Sequence, residues 1–294
     1  MSLWMSLGDG AANNHTAALH LVTLLNVTFY VGAVHHQWCL KNERQQVDLF
    51  QSVLSSTNKK DCLVVDVGMN DGFYTQMAAA LGCRVYAFEI QPACVSLSEA
   101  ALRKNGLLQL VNITQQPVSS AGGEHIEIRF PRGDICDGGF SLHGGSGRSH
   151  SKAAQTEPRN FTTVSLSTFP PLLPLLSELG GGPTIDILKI DAESHEKEIL
   201  QGLLPLLAQR RVRIVIVELS LMHTYADPAG LRAVYRNITD MGYTLTTFNC
   251  NQKKRGQDDV WNSKSFEVFW NYAQWSPISV VRCPDIRIDF VGVV

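Results

Sequence analysis

Along most of the chain, short β-rich runs alternate with stretches in which apolar residues recur at helical spacing. The runs "CLVVDV" (62–67), "CRVYAF" (83–88), "LQLVNI" (108–113), "IDILKI" (185–190) and "VRIVIVE" (212–218) read as strands. Helical patterns fall at 72–81, 93–104, 194–208 and 228–240, the last ended by Gly242. "CLVVDV" and "VRIVIV" are apolar on both faces, as a parallel strand covered by helices on each side must be. This alternation predicts an α/β fold with a mostly parallel, twisted, doubly wound sheet. The C-terminal part departs from it. "YTLTTFNC" (243–250) and "SFEVFWNY" (265–272) are joined by a polar loop without a helix, so they pair antiparallel as a terminal hairpin.

Upstream of the alternation, Val47, Leu49, Phe50, Val53 and Leu54 mark an amphipathic helix over 41–57. Before it, "AALHLVTLLNVTFYVGAV" (17–34) is an uncharged run of membrane-span length, interrupted by His20, Asn26 and two threonines. It has no basic n-region. It reads as a buried helix or strand packed on the main domain, with a membrane anchor as the alternative. Between the third and fourth strands an insertion opens with a strand, "HIEIRFP" (125–131). It passes through a Gly/Ser-rich loop at about 131–160 and resumes strand character in "FTTVSLSTF" (161–169). The expected organisation is an apolar extension over 1–40, one domain over 41–275 and a tail over 276–294.

The bulk numbers narrow the partners. The 294 residues and 45% hydrophobic content suffice for a sizeable core. A net charge of −2, with "NQKKRGQ" (251–257) as the densest basic run, leaves no footprint for nucleic acid. The seven cysteines form no C-x-x-C pair and show no zinc spacing, so they read as free thiols of a reducing, cytoplasmic setting. Five N-x-[S/T] sequons, at Asn14, Asn26, Asn112, Asn160 and Asn237, pull the other way. Two of them, Asn112 and Asn237, fall inside predicted elements.

Candidate chemistry sits at strand ends. The first strand runs into Asp66-Val67-Gly68-Met69-Asn70-Asp71-Gly72 and then a helix. Gly68 permits a sharp turn, and Gly72 lets a ligand approach the helix start. The spacing is G-x-x-x-G, unlike the G-x-G-x-x-G that cradles a pyrophosphate, and no Lys-[Ser/Thr] follows as in a P-loop. Asp66 and Asp71 would repel a pyrophosphate but attract the ammonium and sulfonium of S-adenosylmethionine (SAM). Glu89 ends the second strand, 23 residues after Asp66, where a carboxylate can accept both hydroxyls of an adenosine ribose. Asp191 leaves the fourth strand at the edge where open α/β sheets place ligands, followed by Glu193, His195 and Glu196. A carboxylate ending a buried strand needs a partner, so Asp191 reads as functional. Glu193 is balanced between function and a helix-dipole role, and Glu196 reads as the latter or as packing. His195 is either a base near neutral pH or an exposed helix-start residue. Asp191, Glu218 and His223 share the rim, but spacing alone does not bring them together, so no metal site is assigned.

Taken together, "VVDVGMNDGFYT", "YAFEIQPAC", "LKIDAESHEKEILQG" and "IVIVEL" resemble the FkbM-type methyltransferases over about residues 60–250. That family shows D-x-G-x-N-x-G-x-[YF]-[ST], then A-F-E-P-x-P, then K-I-D-x-E-G-x-E-x-x-x-L-x-G. Ile90 stands where it often has Pro, and Ser194 where it usually has Gly. The resemblance implies a Rossmann-like class I methyltransferase fold and SAM as cofactor, held by Asp66, Gly68, Asn70, Gly72 and Glu89. Adenine-side contacts are implied near Val118 and Ser119. Asp191 and Glu193 would stand beside the methyl and the acceptor, with His195 as a further base. The implied reaction is O-methylation of a sugar, glycolipid or small metabolite. An NAD-dependent oxidoreductase would share the sheet and Glu89 but lacks the third glycine. A non-catalytic binding protein would not need the intact acidic set.

Overall fold

The apolar run near the N-terminus, expected as a buried helix or strand, contains two strands. Strands β1 (Leu19–Leu24) and β2 (Val27–Gly32) pair antiparallel. The computed structural model describes residues 19–24, 27–32, 39–40, 43–57, 61–131, 136, 156–172, 185–193, 195–220, 227–247 and 265–272. No helix among them is long and apolar enough to cross a membrane. Instead Val22, Phe29 and Val31 are buried in the core, and Phe29 packs its ring 6.4 Å from that of Phe73. The backbone of β2 is held on both sides by one side chain: Tyr30 N–H donates to Asn105 Oδ1, and Asn105 Nδ2 donates back to the Tyr30 carbonyl.

Helix α1 (Arg44–Ser56) buries Val47, Leu49, Phe50, Val53 and Leu54, as its periodicity predicts. The alternation then follows. It runs through β3 (Leu63–Val67), α2 (Phe73–Ala80), β4 (Arg84–Phe88), α3 (Pro92–Asn105) and β5 (Val111–Thr114). After the insertion come β8 (Ile185–Ile190), α4 (Glu196–Ala208), β9 (Val212–Ser220) and α5 (Pro228–Asp240), then β10 (Tyr243–Thr247) and β11 (Ser265–Tyr272). The sheet order is β10-β11-β9-β8-β3-β4-β5. Strands β5, β4, β3, β8 and β9 pair parallel, and β11 lies antiparallel against both β9 and β10. The sheet is thus parallel with a terminal antiparallel hairpin. One face packs on α4 and α5 through residues such as Leu203 and Ile238, the other on α1, α2 and the hairpin.

Two stretches differ from expectation. Only the second half of "LQLVNI" is strand: Leu108–Leu110 is a 3-10 turn, and β4 pairs only with Val111–Thr114. The insertion contributes a separate antiparallel ribbon of β6 (His125–Pro131) and β7 (Thr156–Thr162). Strand β7 therefore starts inside the stretch expected to be loop and stops where "FTTVSLSTF" was expected to continue. Its register against β6 sets its length, since "TEPRNFT" has no apolar alternation of its own. Ile90 packs against this ribbon beside Ile128 and Phe130, which accounts for an apolar residue at that position.

The N-terminal hairpin is part of the core. Phe29→Ala should cost about 3–5 kcal/mol, as large-to-small changes at buried aromatics do, read by urea unfolding. An unchanged midpoint would mean that the hairpin is an appendage.

Candidate active site

Strands β3 and β8 are neighbours, but the chain moves away from β3 through β4 and away from β8 through β9. Their carboxyl ends therefore border a crevice, the place where open α/β sheets take ligands. Here it is an open cleft of about 600 Å³, counting the solvent at its mouth. Val67 and Gly68 border it from β3, and Asp191 and Ala192 from β8. The end of β4 adds Phe88, Glu89, Ile90 and Gln91, and the segment after β5 adds Gln116, Pro117 and Val118. Asn70, Glu193 and Ile199 complete the lining.

Gly68 has φ 74°, a region open to glycine, and its N–H donates to the Phe88 carbonyl. The Asp191 N–H donates to the Val67 carbonyl. A Cβ on Gly68 would collide with the Asp191 carbonyl oxygen. Glycine is thus required by the approach of two backbones, before any ligand is considered. At Gly72 (φ 86°) a Cβ would collide with Ser98 Oγ on α3, and Gly72 is not among the residues that line the cleft.

Asn70 takes φ 54°, which asparagine tolerates better than most residues. That turn aims its N–H at Glu89 Oε2 (2.9 Å), while Gln91 N–H donates to Oε1 (2.8 Å). Burial pushes the Glu89 pKa up, and these backbone donors pull it back. Each carboxylate oxygen keeps a lone pair, so Glu89 can still accept two hydroxyls from the cleft.

The two aspartates flanking the turn are not where their charge suggested. Asp71 is 1% exposed and packs toward β2, with its Cβ 2.8 Å from where a Cβ on Gly32 would sit. Asp66 lies on the sheet face beneath the cleft, accepting a hydrogen bond from Thr75 Oγ1 (2.7 Å). Its Oδ1 has no hydrogen-bond partner among the described residues. Burial raises the Asp66 pKa, while the Lys189 ammonium and Thr75 lower it. The carboxylates that do face the cleft are Glu89, Asp191 and Glu193.

Lys189 is the residue the sequence pattern did not single out. It is the register partner of Asp66 across β3 and β8. Its Nζ lies 2.9 Å from Asp191 Oδ2 and 5.2 Å over the Tyr74 ring, whose hydroxyl donates to Glu43. Burial pulls its pKa down, but Asp191, Asp66 and Glu43 outweigh burial and keep the ammonium charged. The available signal was a lysine in the middle of the apolar run "IDILKI".

Glu193 follows with φ 47°. Burial, then Asp191, Glu218 and Glu196, push its pKa up to about 9, with Lys189 pulling the other way. Glu196 accepts the Ala192 N–H (3.1 Å), a helix-start role in keeping with its reading. His195 turns its Nε2 to Ser119 Oγ (3.1 Å), and neither residue lines the cleft. The cleft therefore gathers Gly68, Asn70, Glu89, Val118, Asp191 and Glu193, and leaves out Asp66, Gly72, Ser119 and His195. Among the described residues no group of His, Cys, Asp or Glu is placed to hold a metal, and His223 lies outside them.

The cysteines also depart from expectation. Cys62 pairs with Cys83 and Cys94 with Cys136, leaving Cys39 free and buried; Cys250 and Cys283 lie outside the described residues. The second disulfide ties the first turn of α3 to the chain beyond β6, and Cys136 Sγ sits 3.1 Å from Asn70 Oδ1.

Residues 66–245 match the family model described as "Methyltransferase FkbM domain". The chain is 27% identical over 226 residues to the hexuronic acid methyltransferase AglP of Haloferax volcanii, covering 76% of this chain and 81% of AglP. Among solved structures, the human methyltransferase 10 domain containing protein is 15% identical with a TM-score of 0.40, covering 78% of this chain and 82% of that one. The O-methyltransferase TomG of Streptomyces achromogenes, solved with SAM, is 13% identical with a TM-score of 0.40, covering 81% and 85%.

Two expectations follow from this geometry. Gly68→Ala should destabilise by several kcal/mol, against about 1–2 kcal/mol for Gly106→Ala, which has φ 67° but open space around it. Equal losses in urea unfolding would contradict the collision with Asp191. Glu193 has a raised folded pKa, so its contribution to stability is full below its ordinary value of 4.5 and is lost as pH rises through about 9. Glu193→Gln should therefore gain on the parent in melting temperature as pH rises across that window. A constant offset between the two would remove the burial argument.

Proposed function

Because the chain belongs to the FkbM methyltransferase family and is SAM-dependent, we propose that it methylates a hydroxyl oxygen of a sugar. Family membership removes the dinucleotide alternative. The observation that carries the reading is the pair Asp191 and Glu193 on the cleft that also presents Glu89. The lining suits the cofactor: Glu89 has lone pairs for the ribose hydroxyls, Gly68 and Asn70 offer close backbone, and Val118 offers an apolar surface. When bound, SAM supplies a methyl on cationic sulfur, open to in-line displacement, so alignment of the acceptor dominates the rate.

Asp191 takes the acceptor proton, oriented for it by the Lys189 ammonium at 2.9 Å. Glu193, pushed up to about 9, carries its own proton near neutral pH and donates a hydrogen bond to the acceptor. The position of His195 against Ser119 favours a supporting role outside the cleft. Support for a sugar comes from AglP, a hexuronic acid methyltransferase by name. Asp191 on the cleft is the group that favours a hydroxyl acceptor, since a hydroxyl has a proton to give up and an ionised carboxylate has none.

Labelled SAM incubated with neutral hexosides and with hexuronides tests this. The expected product carries its label as an ether stable to mild alkali; release of the label by saponification would mean a carboxyl acceptor. In the same assay Asp191→Asn should lower turnover about 10²–10⁴-fold with SAM affinity changed by less than about tenfold. Near-normal turnover would remove Asp191 as the base.

A further inference from the structure

Three of the five sequons lie wholly within the described residues: Asn112-Ile113-Thr114, Asn160-Phe161-Thr162 and Asn237-Ile238-Thr239. Each sits in a regular element, which by sequence alone counts against a bulky modification. The structure separates membership of an element from burial. Asn112 is exposed on β5, Asn160 on β7 and Asn237 on α5. The other two asparagines with described side chains behave differently. Asn105 is part-buried and bonded to Tyr30 and Gln76, and Asn70 is part-buried against a disulfide. That division is what N-glycosylation requires. The glycan is bulky and hydrophilic, so the asparagine that carries it must end on the surface.

The cysteines point to the same environment independently. Both described pairs are closed, and all four of their residues are buried. Disulfides of this structural kind persist in oxidising compartments and are rare in the cytosol. Cys39, whose thiol burial and Glu43 push up, is the one free cysteine among the described residues.

We propose that this chain matures in an oxidising secretory compartment and carries N-linked glycans on Asn112, Asn160 and Asn237. In each cysteine pair two thiols lose two electrons and two protons to a thiol–disulfide oxidant, and one S–S bond forms. At each sequon the asparagine amide nitrogen loses a proton and bonds to C1 of an oligosaccharide, displacing its lipid pyrophosphate. On β5, one of the two edge strands of the described sheet, the glycan also hinders pairing with another chain's edge. The test reads glycans and thiols and not methyl transfer, so its outcome is independent of the methylation proposed above.

The test is made on the full protein isolated from its own cells, lysed in N-ethylmaleimide. Treatment with peptide N-glycosidase in ¹⁸O-water, followed by peptide mass spectrometry, should find ¹⁸O-aspartate at positions 112, 160 and 237. Unreduced digests should hold peptides linking Cys62 to Cys83 and Cys94 to Cys136. Unmodified asparagine at the three positions overturns the proposal, and so does N-ethylmaleimide on the four paired cysteines.

Discussion

The backbone contact between Gly68 and Asp191 organises this molecule. It locks the carboxyl ends of β3 and β8 together, with Asp191 N–H on the Val67 carbonyl and Gly68 N–H on that of Phe88. With the Met69 N–H also on the Phe88 carbonyl, three strand ends are tied by three hydrogen bonds and one position without a side chain. Glu89 leaves the third of those ends and Asp191 the second, so the spacing of these two cleft carboxylates, though not of Glu193, is inherited from main-chain geometry. Side chains refine the site, but the glycine sets its frame.

Beneath that frame, charge is balanced across the sheet. A lysine ammonium in an apolar interior is costly unless carboxylates surround it. Lys189 meets Asp66 across the register and Asp191 at the strand end, with the Tyr74 face alongside. Asp66 and Asp191 thus share one buried cation, and Asp191 reaches the cleft already paired.

The layers of the fold were legible because their signals are periodic. Both-face apolar strands, a 3.6-residue helix repeat and strand-end acids such as Glu89 and Asp191 need no tertiary knowledge. What failed was direction. In "LVVDV" every position is buried, so the string does not say that Asp66 points to the sheet face instead of the edge. Asp71 and Gly72 were read toward a ligand because the partners they actually meet, Gly32 and Ser98, are distant in sequence. The cysteine pairs join residues 21 and 42 positions apart, and no spacing rule selects those pairs. Strand β7 escaped for a different reason: a polar ribbon strand takes its register from β6, not from its own composition.

Position 191 carries two obligations at once. Its carbonyl lies against Gly68, and its carboxylate neutralises a buried cation. A substitution there keeps the carbonyl, which every residue supplies, but removes the carboxylate and leaves a buried ammonium short of a partner. The walls are different: Ile90 packs on the β6–β7 ribbon, and Gln116 Nε2 donates to the Thr162 carbonyl, so they are held by the insertion and not by a buried charge pair. The floor of the cleft is thus fixed by a buried charge pair and a backbone contact, whereas its walls are set by the packing of strand exits and loops.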